Sequence, residues 1–282
     1  MSNGTKNLAL FCDFENIALG VRDARSARFD IDEVLERLLV KGKIVVKKAY
    51  CDWERYKDFK HSMHEASFEL IEIPHRRQSG KNSADIRMVV DALDLCYTKS
   101  HVDTFVIISG DSDFSPLVSK LRENDKVVIG VGVKESTSDL LIANCDEFIY
   151  YEDIVRLTSR RKPQKKKTNG KKEPGDAGDA DSVENGNGNN DSSHSAEERA
   201  QQAFELVLET LDDIFNERGD ESQVWGSMVK QALKRRKPGF SESYHGFRSF
   251  GMLLEEMEKR ELVKLEHDEK SGGYVISDYQ GE

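Results

Sequence analysis

Leu8-Ala-Leu-Phe-Cys-Asp-Phe-Glu-Asn16 and Thr104-Phe-Val-Ile-Ile-Ser-Gly-Asp-Ser-Asp-Phe114 share one pattern. Each is a short apolar run that ends in carboxylates: Asp13 and Glu15 in the first, Asp111 and Asp113 in the second. Such runs suit strands buried on both faces of a parallel sheet. In an open α/β sheet, ligand sites lie beyond the carboxyl ends of strands, at a topological switch point. Two acidic strand ends brought side by side repel unless a cation sits between them. Oxygen-only ligands favour Mg²⁺ or Mn²⁺. Phosphodiester hydrolysis is the chemistry that such a pocket usually serves.

Working outward, strand and helix patterns alternate from Asn7 to about Leu157. Strands are expected at Leu8–Phe14, Lys43–Tyr50, Phe68–Ile73, Thr104–Ser109, Val127–Val133 and Phe148–Tyr151. Helices are expected at Asp30–Val40, Tyr56–Ala66, Ala84–Tyr97, Phe114–Glu123 and Leu140–Asn144. In Ala84–Tyr97 the apolar stripe reads as Ile86, Val89, Val90, Leu93 and Tyr97. This alternation predicts an α/β fold, a parallel sheet with helices on both faces. From 158 to 194 the apolar period vanishes. Basic residues fill 158–172 and acids alone carry the charge over 173–195, so the stretch reads as a disordered charged linker. A small second domain follows over 195–282. Ser195-Ala-Glu-Glu198 reads as a capping box for a helix that Gly219 stops. Helices at Gln223–Lys234 and Phe247–Arg260, then strands at Leu262–Leu265 and Gly273–Ile276, make a winged-helix order.

The chain has 282 residues and a formal net charge of −10, which argues against simple affinity for nucleic acid. No run approaches the roughly 18 apolar residues of a membrane span, and the N-terminus lacks a charged-then-apolar signal pattern. A cytoplasmic protein without membrane contact is expected. The four cysteines, Cys12, Cys51, Cys96 and Cys145, lack zinc spacing and read as reduced, partly buried thiols.

Each candidate site residue has two readings. Asp13 ends the first strand and is also placed to cap the next segment. Asn16 suits a metal-bound water or a loop hydrogen bond. Gly110 permits a tight turn off the strand. One of Asp111 and Asp113 caps the following helix, which leaves the other unexplained by capping. Asp85, in Lys81-Asn-Ser-Ala-Asp85, lies in the first turn of a helix, where capping competes with a role at the site. His75, Arg76, Arg77 and Lys81 form a basic loop able to hold a strand by its phosphates. Asp91 and Asp94 read as solvated or structural.

The strand Leu8–Asp13 with Asn16, the Lys81…Asp85 helix start leading into Val90-Asp-Ala-Leu93, and Ser109-Gly-Asp-Ser-Asp-Phe114 together resemble the NYN domain, of the PIN-like nucleases. The resemblance covers about residues 7–155. It implies a Rossmann-like fold and a Mg²⁺- or Mn²⁺-dependent endoribonuclease. Asp13, Asp85, Asp111 and Asp113 carry over as the catalytic and metal-binding acids, with Asn16 in support and Asp139 as a weaker addition. The piece over about 196–278 resembles the OST-HTH (LOTUS) domain in Phe247-Arg-Ser-Phe-Gly-Met-Leu-Leu254, Leu262-Val-Lys-Leu265 and Gly273-Tyr-Val-Ile276. That likeness implies RNA binding or protein docking. The local run Lys234, Arg235, Arg236 and Lys237, with Tyr244, His245 and Arg248 after it, suits RNA.

Two rivals stand beside the nuclease. A phosphatase of the haloacid dehalogenase type also places an Asp after its first strand. Its Asp-x-Asp-x-Thr pattern is broken here by Glu15, Asn16 and Ile17. A non-catalytic RNA-binding scaffold keeps the same residues around a silent site. The RNA target and the oligomeric state are not legible in the sequence.

Overall fold

A computed structural model describes residues 5–24, 28–73, 83–161, 190–218, 223–268 and 272–280. The first part alternates β1 (Asn7–Asp13), α1 (Phe14–Asp23), α2 (Ile31–Leu39), β2 (Lys43–Cys51), α3 (Lys57–Glu65), β3 (Glu69–Glu72), α4 (Ser83–Thr98), β4 (Thr104–Ile108), α5 (Ser115–Glu123), β5 (Val127–Gly132), α6 (Asp139–Asn144), β6 (Glu147–Tyr150) and α7 (Tyr151–Arg161). The strands form one parallel sheet in the order β3-β2-β1-β4-β5-β6. β1 is central, pairing Leu8 with Ile44 on one side and Cys12 with Ile108 on the other. The chain winds outward from β1 through β2 to β3. It then returns to β1's free side as β4, so the switch point lies between β1 and β4.

Alternation along β1 feeds two cores. Leu8, Leu10 and Cys12 pack with Ile17, Val34, Leu38, Met63 and Ile154 from α1, α2, α3 and α7. Ala9 and Phe11 face Met88, Ala92 and Cys96 of α4 and Leu117, Val118 and Leu121 of α5. Here the sequence reading of α4 is corrected. Its buried face is Met88, Ala92 and Cys96, and Ile86, Val90 and Tyr97 are exposed. Phe11 and Phe105 stack 6.0 Å apart on that side of the sheet and, with Tyr50, fill the layer. All four cysteines are free and buried.

The second part holds α8 (Asn190–Arg218), β7 (Val224–Trp225), α9 (Gly226–Arg236), α10 (Phe250–Lys259), β8 (Val263–Asp268) and β9 (Gly273–Tyr279). β7 is a two-residue strand that the sequence did not announce, and it completes the antiparallel order β7-β9-β8. Phe204, Val207 and Leu211 of α8 meet Val229, Leu233, Leu253, Leu254 and Met257 in a separate core. α8 is already helical at Ser195, so the expected capping box does not open it. Gly219 lies outside the described residues, as does 162–189 of the expected linker. α7 and α8 run into that linker from either end, to Arg161 and from Asn190.

The two parts touch. The Phe148 N–H donates to the Pro238 carbonyl at 3.0 Å. Arg156 donates to the Ser243 carbonyl at 3.3 Å. Glu147 takes Lys41 at 2.6 Å and Lys234 at 3.3 Å. Lys134 lies 3.1 Å from the centroid of the Tyr244 ring.

Candidate active site

Asp13 is the last residue of β1 and the N-cap of α1, where its Oδ1 accepts the Asn16 N–H at 3.3 Å. Its Oδ2 accepts the hydroxyl of Ser109 at 3.1 Å. Ser109, wholly buried just past β4, also accepts the Asp111 N–H at 3.2 Å. One hydroxyl therefore ties the end of β1 to the loop after β4. Asn16 makes a second tie, its Oδ1 accepting the Gly110 N–H at 2.8 Å. That bond is the loop hydrogen bond among its two sequence readings.

Asp111 caps the 3-10 turn Ser112–Phe114, accepting the Asp113 N–H at 3.0 Å. Asp113 itself is exposed. Gly110 is needed for close approach rather than for an unusual φ. A Cβ there would lie 2.7 Å from the Ser136 carbonyl oxygen and 3.0 Å from the Thr137 Cα. Asp85 stands in the first turn of α4.

Electrostatics join these acids. Burial first, and then the Asp85 charge with a smaller push from Asp111, raises Asp13 from 3.8 to about 7, against the lowering effect of its hydrogen bonds from Asn16 and Ser109. Burial, then Asp111, Asp113 and Glu15, raises Asp85 from 3.8 to about 6. Four candidate acids from three different segments thus crowd one end of the sheet at the switch point. Glu15, on α1, pairs with Arg55 at 3.0 Å. Asp139 follows Ser138, the N-cap of α6, and its charge acts on Tyr150 rather than on this cluster. Asp91 is structural, accepting from the Tyr50 hydroxyl at 2.9 Å and pairing with Arg87 at 3.1 Å.

Arg76, Arg77 and Lys81 lie outside the described residues. Of the basic run at the end of α9, Lys234 is committed to Glu147 and Arg236 to Asp213 and the Glu209 carbonyl. Burial pushes the Glu147 carboxyl up, yet Lys234 and Lys41 outweigh it and hold the group below its ordinary value. Arg235 and Lys237 are exposed. His245 is buried, its Nδ1 2.6 Å from the Arg199 carbonyl oxygen and its ring against Phe240, and burial lowers its pKa. It belongs to the packing of the second part, not to its surface.

The donors at the acidic end are all oxygen, which suits Mg²⁺ or Mn²⁺. Among the described residues no three His, Cys, Asp or Glu side chains converge closely enough to ligate one ion. That spacing fits an ion that retains water and touches one or two carboxylates, as Mg²⁺ commonly does. The sequence reading gave Ser109 no role. Its signal was a lone hydroxyl closing an apolar strand one residue before Gly110.

The NYN domain family model matches residues 7–152. An uncharacterised protein of Methanocaldococcus jannaschii is 30% identical over 170 residues, 59% of this chain and 63% of that protein. The Meiosis regulator and mRNA stability factor 1 of Xenopus tropicalis is 25% identical over 165 residues, 58% of this chain and 10% of that protein. The chain therefore spans less than two thirds of either relative. A protein of unknown function from Vibrio parahaemolyticus, solved by crystallography, aligns with a TM-score of 0.49 at 27% identity, over 55% of this chain and 98% of that one. Among the described residues no helix is long and apolar enough to cross a membrane.

Proposed function

Since the chain belongs to the NYN domain family, we propose that it is a metal-dependent endoribonuclease whose acidic cluster cuts RNA at an internal phosphodiester. The observation that carries this reading is the mutual pressure among Asp13, Asp85 and Asp111 at the switch point between β1 and β4. A fold spends stability on such repulsion where a cation and an anionic substrate relieve it. A bound divalent cation supplies a water of lowered pKa and neutralises charge on the phosphorane. Asp13, Asp85 and Asp111 are the residues that would hold it, one or two of them directly and the rest through its bound waters. Asp13 is fixed by Ser109 and Asn16, so its carboxylate needs no reorganisation when substrate arrives. Exposed Asp113 orients the attacking water.

The proposed division is an NYN domain over 1–157, a tether over 158–194 and an OST-HTH domain over 195–282. RNA as the target is supported by the name of the Xenopus relative, an mRNA stability factor. In the second domain, Arg235 and Lys237 are the cations offered to RNA. The contacts of Lys234 and Tyr244 with Glu147 and Lys134 support a docking role for that face.

The test is cleavage of a mixed single-stranded and structured RNA panel with Mg²⁺ or Mn²⁺, beside Asp111→Asn. Asparagine caps as well as aspartate, so the fold should survive. Removing one ligand charge commonly costs several kcal/mol of transition-state stabilisation, a loss of roughly a hundredfold or more. Cleavage by the variant at the wild-type rate would make Asp111 a cap and nothing more. RNA binding without cleavage by the wild type would favour the scaffold.

A further inference from the structure

One contact between the two parts of the chain leads to the acidic cluster. It runs through the segment 133–138, which leaves β5, makes a 3-10 turn at Lys134–Ser136 and enters α6 at its N-cap, Ser138. This segment is seated on the loop that carries Asp111. The Ser138 N–H donates to the Gly110 carbonyl at 2.9 Å. A Cβ on Gly110 would lie 2.7 Å from the Ser136 carbonyl oxygen. One on Gly132 would lie 2.5 Å from the Thr137 Oγ1 and 3.2 Å from the Ser109 carbonyl oxygen. The segment thus rests on glycine backbone, which leaves no side chain to absorb a shift.

On its other side the segment is held at Lys134. The Lys134 N–H donates to the Glu152 carboxylate, at the start of α7, at 3.1 Å. Its ammonium lies 3.1 Å from the centroid of the Tyr244 ring, which belongs to the second part. Tyr244 is backed in turn. Its ring meets His245 edge-on at 5.0 Å, and the buried His245 is tied to the Arg199 carbonyl. The sequence reading offered Tyr244 to RNA, whereas in the fold the ring is engaged by Lys134.

We propose that Tyr244 and Lys134 position the acidic loop: the docked second part braces 133–138, and 133–138 holds Gly110, and with it Asp111, in place. This rests on the nuclease reading and deepens it. Both are positioning residues, which act through the loop rather than on the ion or the RNA. Close-packed elements pass small shifts on to their neighbours, and a misplaced group at a reacting centre is costly in rate. The brace is one cation–π pair at an exposed lysine, so its loss should be worth roughly two- to fivefold.

The test is amide hydrogen exchange by NMR on the full chain without divalent ions, followed by RNA cleavage in Mg²⁺. Three amides report on the joint: Ser138, bonded to Gly110; Gly110, bonded to Asn16; and Asp111, bonded to Ser109. The Phe148 amide, bonded to Pro238, reports on docking. Lys134→Met keeps the aliphatic stem and removes the charge, and because Lys134 is exposed the variant should fold. It should speed exchange at the three amides roughly two- to fivefold and leave Phe148 unchanged. Its kcat should fall by the same factor with KM unchanged. Tyr244→Ala should behave alike. Lys134→Arg and Tyr244→Phe keep a cation over a ring and should match the wild type in exchange and in kcat. Unchanged exchange at the three amides overturns the proposal. Faster exchange at Phe148 as well would assign the effect to docking as a whole, which also overturns the role given to this pair. A raised KM at constant kcat would make Lys134 an RNA contact and overturn it again. If the exchange pattern appears but the wild type cuts no RNA, the nuclease reading falls and the brace stands.

Discussion

Replacing Asp13 by asparagine should stabilise the protein at alkaline pH while removing its chemistry. The carboxyl is 7% exposed and raised from 3.8 to about 7 by burial and then by Asp85. Below pH 4 the proton is on in both folded and unfolded chains, and the group costs nothing. Between pH 4 and 7 the folded state keeps a proton that the unfolded state has lost, so stability falls as pH rises. Above 7 the loss is complete, on the order of 4 kcal/mol at 1.36 kcal/mol per tenfold. Between pH 5 and pH 8 the change is about 3 kcal/mol. Asparagine keeps the acceptor for the Asn16 N–H but meets Ser109 with a less favourable partner, a cost of about 1–2 kcal/mol that does not vary with pH. The difference in stability, variant minus wild type, should therefore move by about 3 kcal/mol in the variant's favour from pH 5 to pH 8. Urea unfolding without divalent ions measures it, in a Trp225→Phe background that leaves Trp53, buried against Phe14, as the reporter. Mg²⁺ at ten times its Kd should then restore about 1.4 kcal/mol to the wild type at pH 8 and little to the variant. An equal difference at both pH values would mean that Asp13 is an ordinary cap, and the argument from crowded charge would fail.

Three further outcomes are expected. Ser109→Ala should cost about 1–3 kcal/mol, because it leaves the Asp111 N–H without its acceptor, and thermal unfolding with RNA cleavage should show both effects together. Gly110→Ala forces a methyl against the Ser136 carbonyl oxygen and should cost about 1–3 kcal/mol, against a few tenths if the loop at Thr137 simply yields. Arg235→Glu with Lys237→Glu should weaken RNA binding and flatten its salt dependence, with no change in melting temperature. Arg236 is the wrong residue for that test, because a glutamate there would face Asp213.

The sheet was legible because β1 and β4 are almost wholly apolar and end abruptly in acids, and burial on both faces leaves no other reading. The switch point followed from the same ends. α4 was misread because it carries two apolar faces. Sequence periodicity picks out Ile86, Val89, Val90, Leu93 and Tyr97, of which Val89 and Leu93 do pack against the core, whereas the fully buried positions are Met88, Ala92 and Cys96 and the exposed ones Ile86, Val90 and Tyr97. Ser109's links to Asp13 and Asp111, and Lys234's to Glu147, depend on side chains meeting across the fold, which local patterns do not encode.

The contact between Phe148 and Pro238 has a consequence for how the chain stays dispersed. A parallel sheet of six strands has two open margins, and each is a template for pairing with a stranger. At one margin, β3 protects itself: it is four residues long and carries Glu69 and Glu72 at its ends. At the other, β6 is equally short, but its one ionic residue, Glu147, is spent on Lys41 and Lys234, and its Phe148 N–H is taken by the second part of the chain. The second part thus acts as a selvedge, a woven border that keeps the sheet from unravelling into its neighbours. Cutting the chain within 162–189 would remove that border and leave a fragment prone to sticking edge to edge. Loss of activity in such a fragment would then report clumping as readily as lost grip on RNA.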